Sequence, residues 1–388
     1  MSAKPDTAVN LIDNMLDQGL MLGASDIHFE SGKDFFRVRF RIDGLLHNVA
    51  TPAVQLRDAI VSRLKVLARM DIAEKRIPQD GRIHYNHKSE MIDLRVSSLP
   101  TVHGEKIVVR IMGFNRIRPD LNSLGYEVDD QLKLREAIER PHGLILMTGP
   151  TGSGKTSSLY SCLDLINRED INLATVEDPA EIQLAGANQV NINEKAGLTF
   201  ASALRALLRQ DPDVIMVGEI RDLETAEIAI QASQTGHLVL STLHTNDAPS
   251  TLARLRHMGI PSFHVAASLT MVTAQRLIRR LCDHCKVPLS HQEAKDLQSQ
   301  LTLHQPITVF KAFGCQACDK GYKGRVGLFQ VMPVSAAMQA LILRDAPTQA
   351  LAAKAAQEGV RSLRQAGWIK MRQGVTSMAE VMALTPHG

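Results

Sequence analysis

Aromatic side chains are scarce. They make up 4% of the 388 residues, with a single tryptophan, too few for a platform that stacks successive nucleic-acid bases. Excess charge is lacking too. A formal net charge of +3 is too small for the basic footprint of a nucleic-acid binder or for capture by an anionic membrane surface. No uninterrupted apolar run approaches the ~18 residues of a membrane span. Residues 1–10 are polar and lack the apolar core of a secretory signal. These absences predict a soluble, cytoplasmic protein that takes no specific nucleic acid. Cysteine is sparse at five residues, yet four of them form two Cys-x-x-Cys pairs. In a chain without an export signal, that spacing points to metal before disulfide. A hydrophobic content of 44% is ample for the buried cores of the two to three domains that this length suggests.

One stretch organises what is present: Gly149-Pro150-Thr151-Gly152-Ser153-Gly154-Lys155-Thr156, followed by Ser157. The apolar run Leu144-Ile145-Leu146-Met147 precedes it and Leu159-Tyr160 follows, so it reads as strand, glycine-rich loop, helix. The glycines let the backbone turn tightly and aim N–H groups at phosphate oxygens, and the helix presents its positive end to the same anion. In this pattern Lys155 reaches the β- and γ-phosphates and the Thr156 hydroxyl holds Mg²⁺. The motif implies a bound nucleoside triphosphate and leaves open how its energy is used.

Around the loop the pattern divides the chain. Residues 1–112 read as a small α+β domain, with helices near 7–20 and 52–70. Its strands lie around 36–42, 81–85, 91–97 and 106–112, and Asp43-Gly44 marks a hairpin turn. Residues 113–122, with Pro119, are the expected linker. Residues 123–388 form the second domain. There, apolar strands at 144–147, 172–176, 214–217 and 238–241 alternate with helices near 156–166, 200–209 and 223–235, and Asp222 is a plausible N-cap. That alternation predicts a parallel sheet covered on both faces. Residues 276–330 are read as a zinc module and 331–388 as a helical tail.

Acids follow two of these strands. Glu219 ends Val214-Ile215-Met216-Val217-Gly218, at the strand edge that faces the ligand crevice of a parallel sheet. It suits water-mediated Mg²⁺ binding or polarisation of the attacking water. A plain solvated carboxylate fits that position equally well. Glu177, Asp178 and Glu181 repeat the logic one strand over, and spacing alone does not say which acid would orient water. His237 and His244 flank strand 238–241. Each suits a structural histidine or a sensor of the γ-phosphate. The pairs Cys282/Cys285 and Cys315/Cys318 supply four thiolates for tetrahedral Zn²⁺, a closed and therefore structural site. The gap between them predicts an inserted helix near 291–303. Cys162 reads as core.

These blocks resemble the secretion ATPase superfamily. The loop at 149–156 is similar to its Walker A motif, and Glu177-Asp178-Pro179-Ala180-Glu181 to its Asp box. Leu208-Arg209-Gln210-Asp211-Pro212-Asp213 leading to Gly218-Glu219-Ile220-Arg221-Asp222 is similar to its Walker B motif. Thr235-Gly236-His237 through His244-Thr245-Asn246 resembles its His box. Ala24-Ser25-Asp26-Ile27-His28, Arg39-Phe40-Arg41-Ile42-Asp43-Gly44 and Arg76-Ile77-Pro78-Gln79-Asp80-Gly81-Arg82 extend the likeness through the first domain. Within the superfamily the chain most resembles the type II secretion and type IV pilus assembly (extension) ATPases, in a compact form lacking the extra N-terminal domain. The resemblance implies a RecA-like phosphate-loop ATPase domain preceded by a PAS-like α+β domain. It makes Glu181 the general base or water-positioning acid and Glu219 the Walker B glutamate, with His244 beside them. It aligns Arg95 and Arg110 with arginines that reach a neighbouring subunit's nucleotide. It further implies ATP, Mg²⁺ and structural Zn²⁺, a homohexamer, an inner-membrane platform protein as partner, and peripheral attachment to the inner membrane through it. The alternatives are a pilus retraction ATPase, whose members lack the zinc site, and a nucleic-acid-translocating motor.

Overall fold

The computed structural model describes residues 8–112, 120–293, 295 and 308–385. The chain divides into two compact units, Met1–Ile117 and Arg118–Gly388. The expected linker lies mostly outside the described residues, and so does most of the helix expected near 291–303. Among the described residues no helix is long and apolar enough to cross a membrane.

In the first unit, α1 (Ala8–Met21) and α2 (Arg57–Leu67) pack on a six-stranded sheet. Its strands are β1 (Asp26–Ser31), β2 (Phe36–Ile42), β3 (Leu45–Ala50), β4 (Gln79–His87), β5 (Glu90–Thr101) and β6 (Gly104–Met112), in the order β3-β2-β1-β6-β5-β4. Every neighbouring pair is antiparallel. Asp43 and Gly44 both adopt positive φ (48° and 87°), as a two-residue hairpin with strand-matching twist requires. Alternation drives one face inward. Ile27, Phe29, Phe36, Val38, Phe40, Leu94, Val96, Ile107 and Val109 meet Ile12, Leu16 and Leu20 of α1 and Ile60 and Leu64 of α2. The residues between them, largely charged, form the other face.

The second unit is built on a seven-stranded sheet. Its strands are β7 (Gly143–Thr148), β8 (Leu173–Glu177), β9 (Asn188–Asn191), β10 (Val214–Val217), β11 (Leu238–Leu243), β12 (Leu269–Leu281) and, last in sequence, β15 (Tyr322–Pro333). A separate pair, β13 (Val287–Pro288) and β14 (Phe310–Lys311), lies between the cysteine pairs in sequence. The main order is β15-β12-β7-β11-β10-β8-β9. The four core strands read from sequence are parallel and almost wholly buried. Leu144 and Leu146 face one apolar layer, and Ile145 and Met147 the opposite one. Helix α4 (Lys155–Ile166) covers the second layer with Leu159 and Leu163, together with Leu134 of α3 (Val128–Ile138). Helices α5 (Phe200–Leu207), α6 (Leu223–Gln234), α7 (Ala248–His257) and α8 (Ser262–Ser268) cover the first. Asp222 caps α6, accepting from the Thr225 N–H at 2.8 Å.

The expected all-parallel sheet is amended at one edge. β12 is parallel to β7, but β15 returns antiparallel along β12 from Met271 to Leu281. Residues 269–281 and 322–333 are therefore sheet, and the cysteines sit at the open end of this strand pair. Their mixed apolar and basic composition gives no continuous apolar run, so sequence pattern alone does not mark them as core strands. Helices α9 (Ala336–Leu343), α10 (Thr348–Gln357), α11 (Leu363–Arg372) and α12 (Met378–Leu384) complete the unit.

Candidate active site

The carboxyl ends of β7, β8, β10 and β11 lie along one edge, because these strands are parallel and adjacent. The loop after β7 carries Gly149, Gly152 and Gly154 at φ of 149°, 77° and 88°, conformations that L side chains rarely adopt. A Cβ on Gly149 would come within 2.5 Å of the Gln275 carbonyl oxygen and of Ser153 Oγ. The close fit of the loop over β12 thus requires glycine there. Helix α4 starts at Lys155, so its first N–H groups and the half-buried Thr156 and Ser157 open onto the same place. Pro150, Thr151 and Gly152 form its rim. Thr148 Oγ1 and Ser153 Oγ are buried at the loop without hydrogen-bond partners among the described residues, so the site has polar capacity to spare.

Lys155 Nζ donates to the carbonyl oxygens of Gly149 (2.8 Å) and Pro150 (3.2 Å). Burial pushes its pKa down to about 8; Glu219 opposes this and Arg276 adds to it. Glu219 pairs directly with Arg221, and His244 Nε2 lies 3.5 Å from Glu219 Oε2. Burial works against its charge, but Arg221 and His244 outweigh that and hold the carboxyl below its ordinary range. Arg221 also stands 3.8 Å from Asp178. A carboxylate, a guanidinium and an imidazole thus share the edge beside the phosphate loop.

The three acids after β8 separate. Glu177 is buried and accepts from Tyr160 Oη (2.6 Å), Thr175 Oγ1 (2.6 Å) and Gln189 Nε2 (3.2 Å). It ties α4 to β8 and β9. Asp178 faces Arg221, and Glu181 is exposed on the loop beyond. The two histidines separate as well. His237 precedes β11 and its Nδ1 lies 2.9 Å from the Ala232 carbonyl oxygen, at the strand's amino end and away from the phosphate-loop edge. His244 follows the carboxyl end, beside Glu219. Cys162 is fully buried in α4, as expected of core.

In the first unit, cross-strand register lines up Arg41, Asp26, Arg110, Arg95 and Arg82 in one row across β2, β1, β6, β5 and β4. Asp26 accepts from Arg110 Nε at 2.9 Å. Arg82, Arg95, Arg110 and Asp80 line a cavity of about 620 Å³. Like charges directly opposite one another on a sheet are destabilising, so the row suits an anionic ligand. In sequence Arg82 only closes the block 76–82, and register alone places it beside Arg95. Gln275 and Arg276 carry no local signal either. Gln275 Nε2 donates to the Ser153 carbonyl at 2.8 Å, and Arg276 donates to Asn246 Oδ1 at 2.9 Å.

The four cysteine sulfurs lie within 4.8 Å of one another. Cys282–Cys315 is 3.9 Å, and Cys285–Cys318 and Cys315–Cys318 are both 3.6 Å. Disulfide sulfurs are about 2.05 Å apart. Tetrahedral Zn²⁺ with bonds of about 2.3 Å spaces its sulfurs by roughly 3.8 Å, so the cluster fits that ion. Among the described residues it is the only such group.

A family model for type II/IV secretion system proteins matches residues 2–383. This chain belongs to that family. It is 52% identical over 382 residues to the type IV pilus assembly ATPase PilB of Acinetobacter baylyi, an alignment covering 97% of this chain and 66% of that protein. It is 47% identical over 378 residues to the type II secretion system ATPase E of Vibrio cholerae, covering 97% and 75%. Among solved structures it resembles the pilus retraction motor PilT with bound ADP, at 25% identity and a TM-score of 0.65 over 98% of each chain. The chain thus spans about two thirds to three quarters of the length of these two curated relatives. The fold is the α/β ATPase fold of this family, and ATP hydrolysis is the family's chemistry.

Proposed function

We propose that this chain is a Mg²⁺-dependent motor that works as a homohexamer on the cytoplasmic side of the inner membrane. Its output is assembly of a pilus or pseudopilus through an inner-membrane platform protein. The observation that carries this reading is the phosphate loop set beside the Glu219–Arg221–His244 group in a chain that also holds a four-cysteine cluster. The loop N–H groups and Lys155 bind the β- and γ-phosphates. Thr156 and Glu219 would hold Mg²⁺, which neutralises charge on the phosphate oxygens. Glu181, exposed on its loop, positions the attacking water, and His244 orients Glu219. Arg95 and Arg110 neutralise charge on the transferred phosphoryl group of a neighbouring subunit, a contribution of about 10³–10⁵ in rate. Cys282, Cys285, Cys315 and Cys318 would hold a structural Zn²⁺.

Two variants test the reading. Lys155→Ala is expected to lose ATP binding and turnover. Glu219→Gln is expected to bind ATP and fall at least about a hundredfold in turnover, as loss of a charged group acting in the transition state predicts. Wild-type hydrolysis by Lys155→Ala sinks the proposal. Pilus retraction is the second reading, favoured by the likeness to PilT. Metal analysis separates them: one zinc per chain held by the four cysteines supports extension or secretion.

A further inference from the structure

Nothing in the motif blocks accounts for a fully buried amide beneath the phosphate loop. Gln275 lies on β12, 1% exposed. Its Nε2 donates to the Ser153 carbonyl at 2.8 Å, and its own backbone oxygen lies where a Gly149 side chain would begin. A Cβ on Gly154 would sit 3.3 Å from the same Nε2. The residue therefore meets the loop twice, its backbone oxygen at Gly149 and its side chain at Ser153 and Gly154. The acceptor is a carbonyl, so the amide orientation follows: the nitrogen faces the loop. Its Oε1 has no hydrogen-bond partner among the described residues. An unsatisfied buried oxygen is costly, and the amide carries that cost while making one bond, to the loop.

That bond sets the direction of a peptide plane. In a planar trans peptide the C=O and the following N–H point to opposite sides. With the Ser153 carbonyl held down toward β12, the Gly154 N–H is turned up, toward the open face of the loop. The positive φ of Gly154 is what lets the chain leave that plane into α4. We propose that Gln275 is a positioning residue for polyphosphate: it fixes the Ser153–Gly154 peptide so that the loop meets its ligand with the N–H side already presented. This rests on the reading that residues 149–156 bind nucleotide.

The test compares Gln275→Met, Gln275→Glu and Lys155→Ala with wild type, each as the zinc-loaded assembly. Met keeps the length and loses the donor. Its KM for ATP and its Kd for ADP are expected to rise about tenfold, the scale of one net hydrogen bond, while kcat stays within about twofold, because ground and transition states lose the same contact. Glu cannot donate and sets a carboxylate beneath the phosphates, so its loss should exceed that of Met. A merely structural defect does the reverse: it reduces the active fraction and hence kcat, leaving KM and Kd unchanged. That result, or wild-type Kd values in both Gln275 variants, overturns the inference. Lys155→Ala separates the two levels. If it binds ADP like wild type, the nucleotide reading itself falls. If it loses binding while both Gln275 variants retain it, only the role of Gln275 falls.

Discussion

Lys155 holds the clearest residue-scale consequence. Burial brings its pKa to about 8, with Glu219 opposing the shift and Arg276 reinforcing it. A polyphosphate favours the charged ammonium, so binding raises that pKa. Below about pH 7 the group is already charged and binding takes up no proton through it. As pH rises past 8 each binding event takes up a growing share of one proton, and Kd for ADP is expected to climb toward tenfold per pH unit. Calorimetry in buffers of different ionisation enthalpy, at pH 7 and 8.5, reads this directly. A Kd that stays flat from pH 7 to 9 contradicts it. Glu219 behaves oppositely: with its carboxyl held low by Arg221 and His244, it stays ionised across the same range.

At the scale of elements, the strand pair β12/β15 links the two chemistries of the second unit. Toward one end Gln275 supports the phosphate loop, and Gln330 of β15 accepts from the Ala248 N–H at 2.9 Å. At the other end, next to the cysteines, β12 is clasped by the turn between α11 and α12 and by α12 itself. Leu281 N–H donates to the Val375 carbonyl (2.8 Å), Thr376 Oγ1 to the Arg279 carbonyl (2.8 Å), and Arg279 pairs with Glu380 at 2.5 Å. Chelation of zinc, or Cys315→Ser, should therefore loosen the C-terminal helices before the parallel core. We expect Tm to fall by at least about 5 °C, the shift that roughly 2 kcal/mol produces at this size, and amide exchange to rise first in α11 and α12. Unchanged protection there would show the clasp to be independent of the metal. This strand pair also marks where sequence stops being legible. The phosphate loop is contiguous, and the parallel strands are continuous apolar runs, so both could be read directly. The approach of Gln275 to Ser153 spans 122 positions and exists only because β12 pairs with β7. The separation of Glu177 from Glu181 likewise depends on Tyr160 and Gln189, which local pattern cannot place.

At the scale of the whole molecule, the role proposed for Arg95 and Arg110 calls for an active unit larger than one chain. Arg95 stands between Arg82 and Arg110 in register and lines the same cavity with them. Arg95→Ala is expected to bind ATP normally and to lose about 10³ or more in turnover. Rings mixed from Arg95→Ala and Lys155→Ala chains should recover activity, because one subunit supplies the arginine and the next an intact loop. Mixed rings as inactive as either parent would exclude action in trans. The four cysteine sulfurs have a consequence of another kind, for what the chain tolerates. A metal held by them would tie the chain just before β13 to the chain just after β14. Once those points are tied, length is cheap: each doubling of such a loop adds only about 0.6 kcal/mol of closure entropy. A fluorescent reporter inserted between β13 and β14 is therefore expected to leave ATP turnover unchanged, giving an optical handle on an active protein.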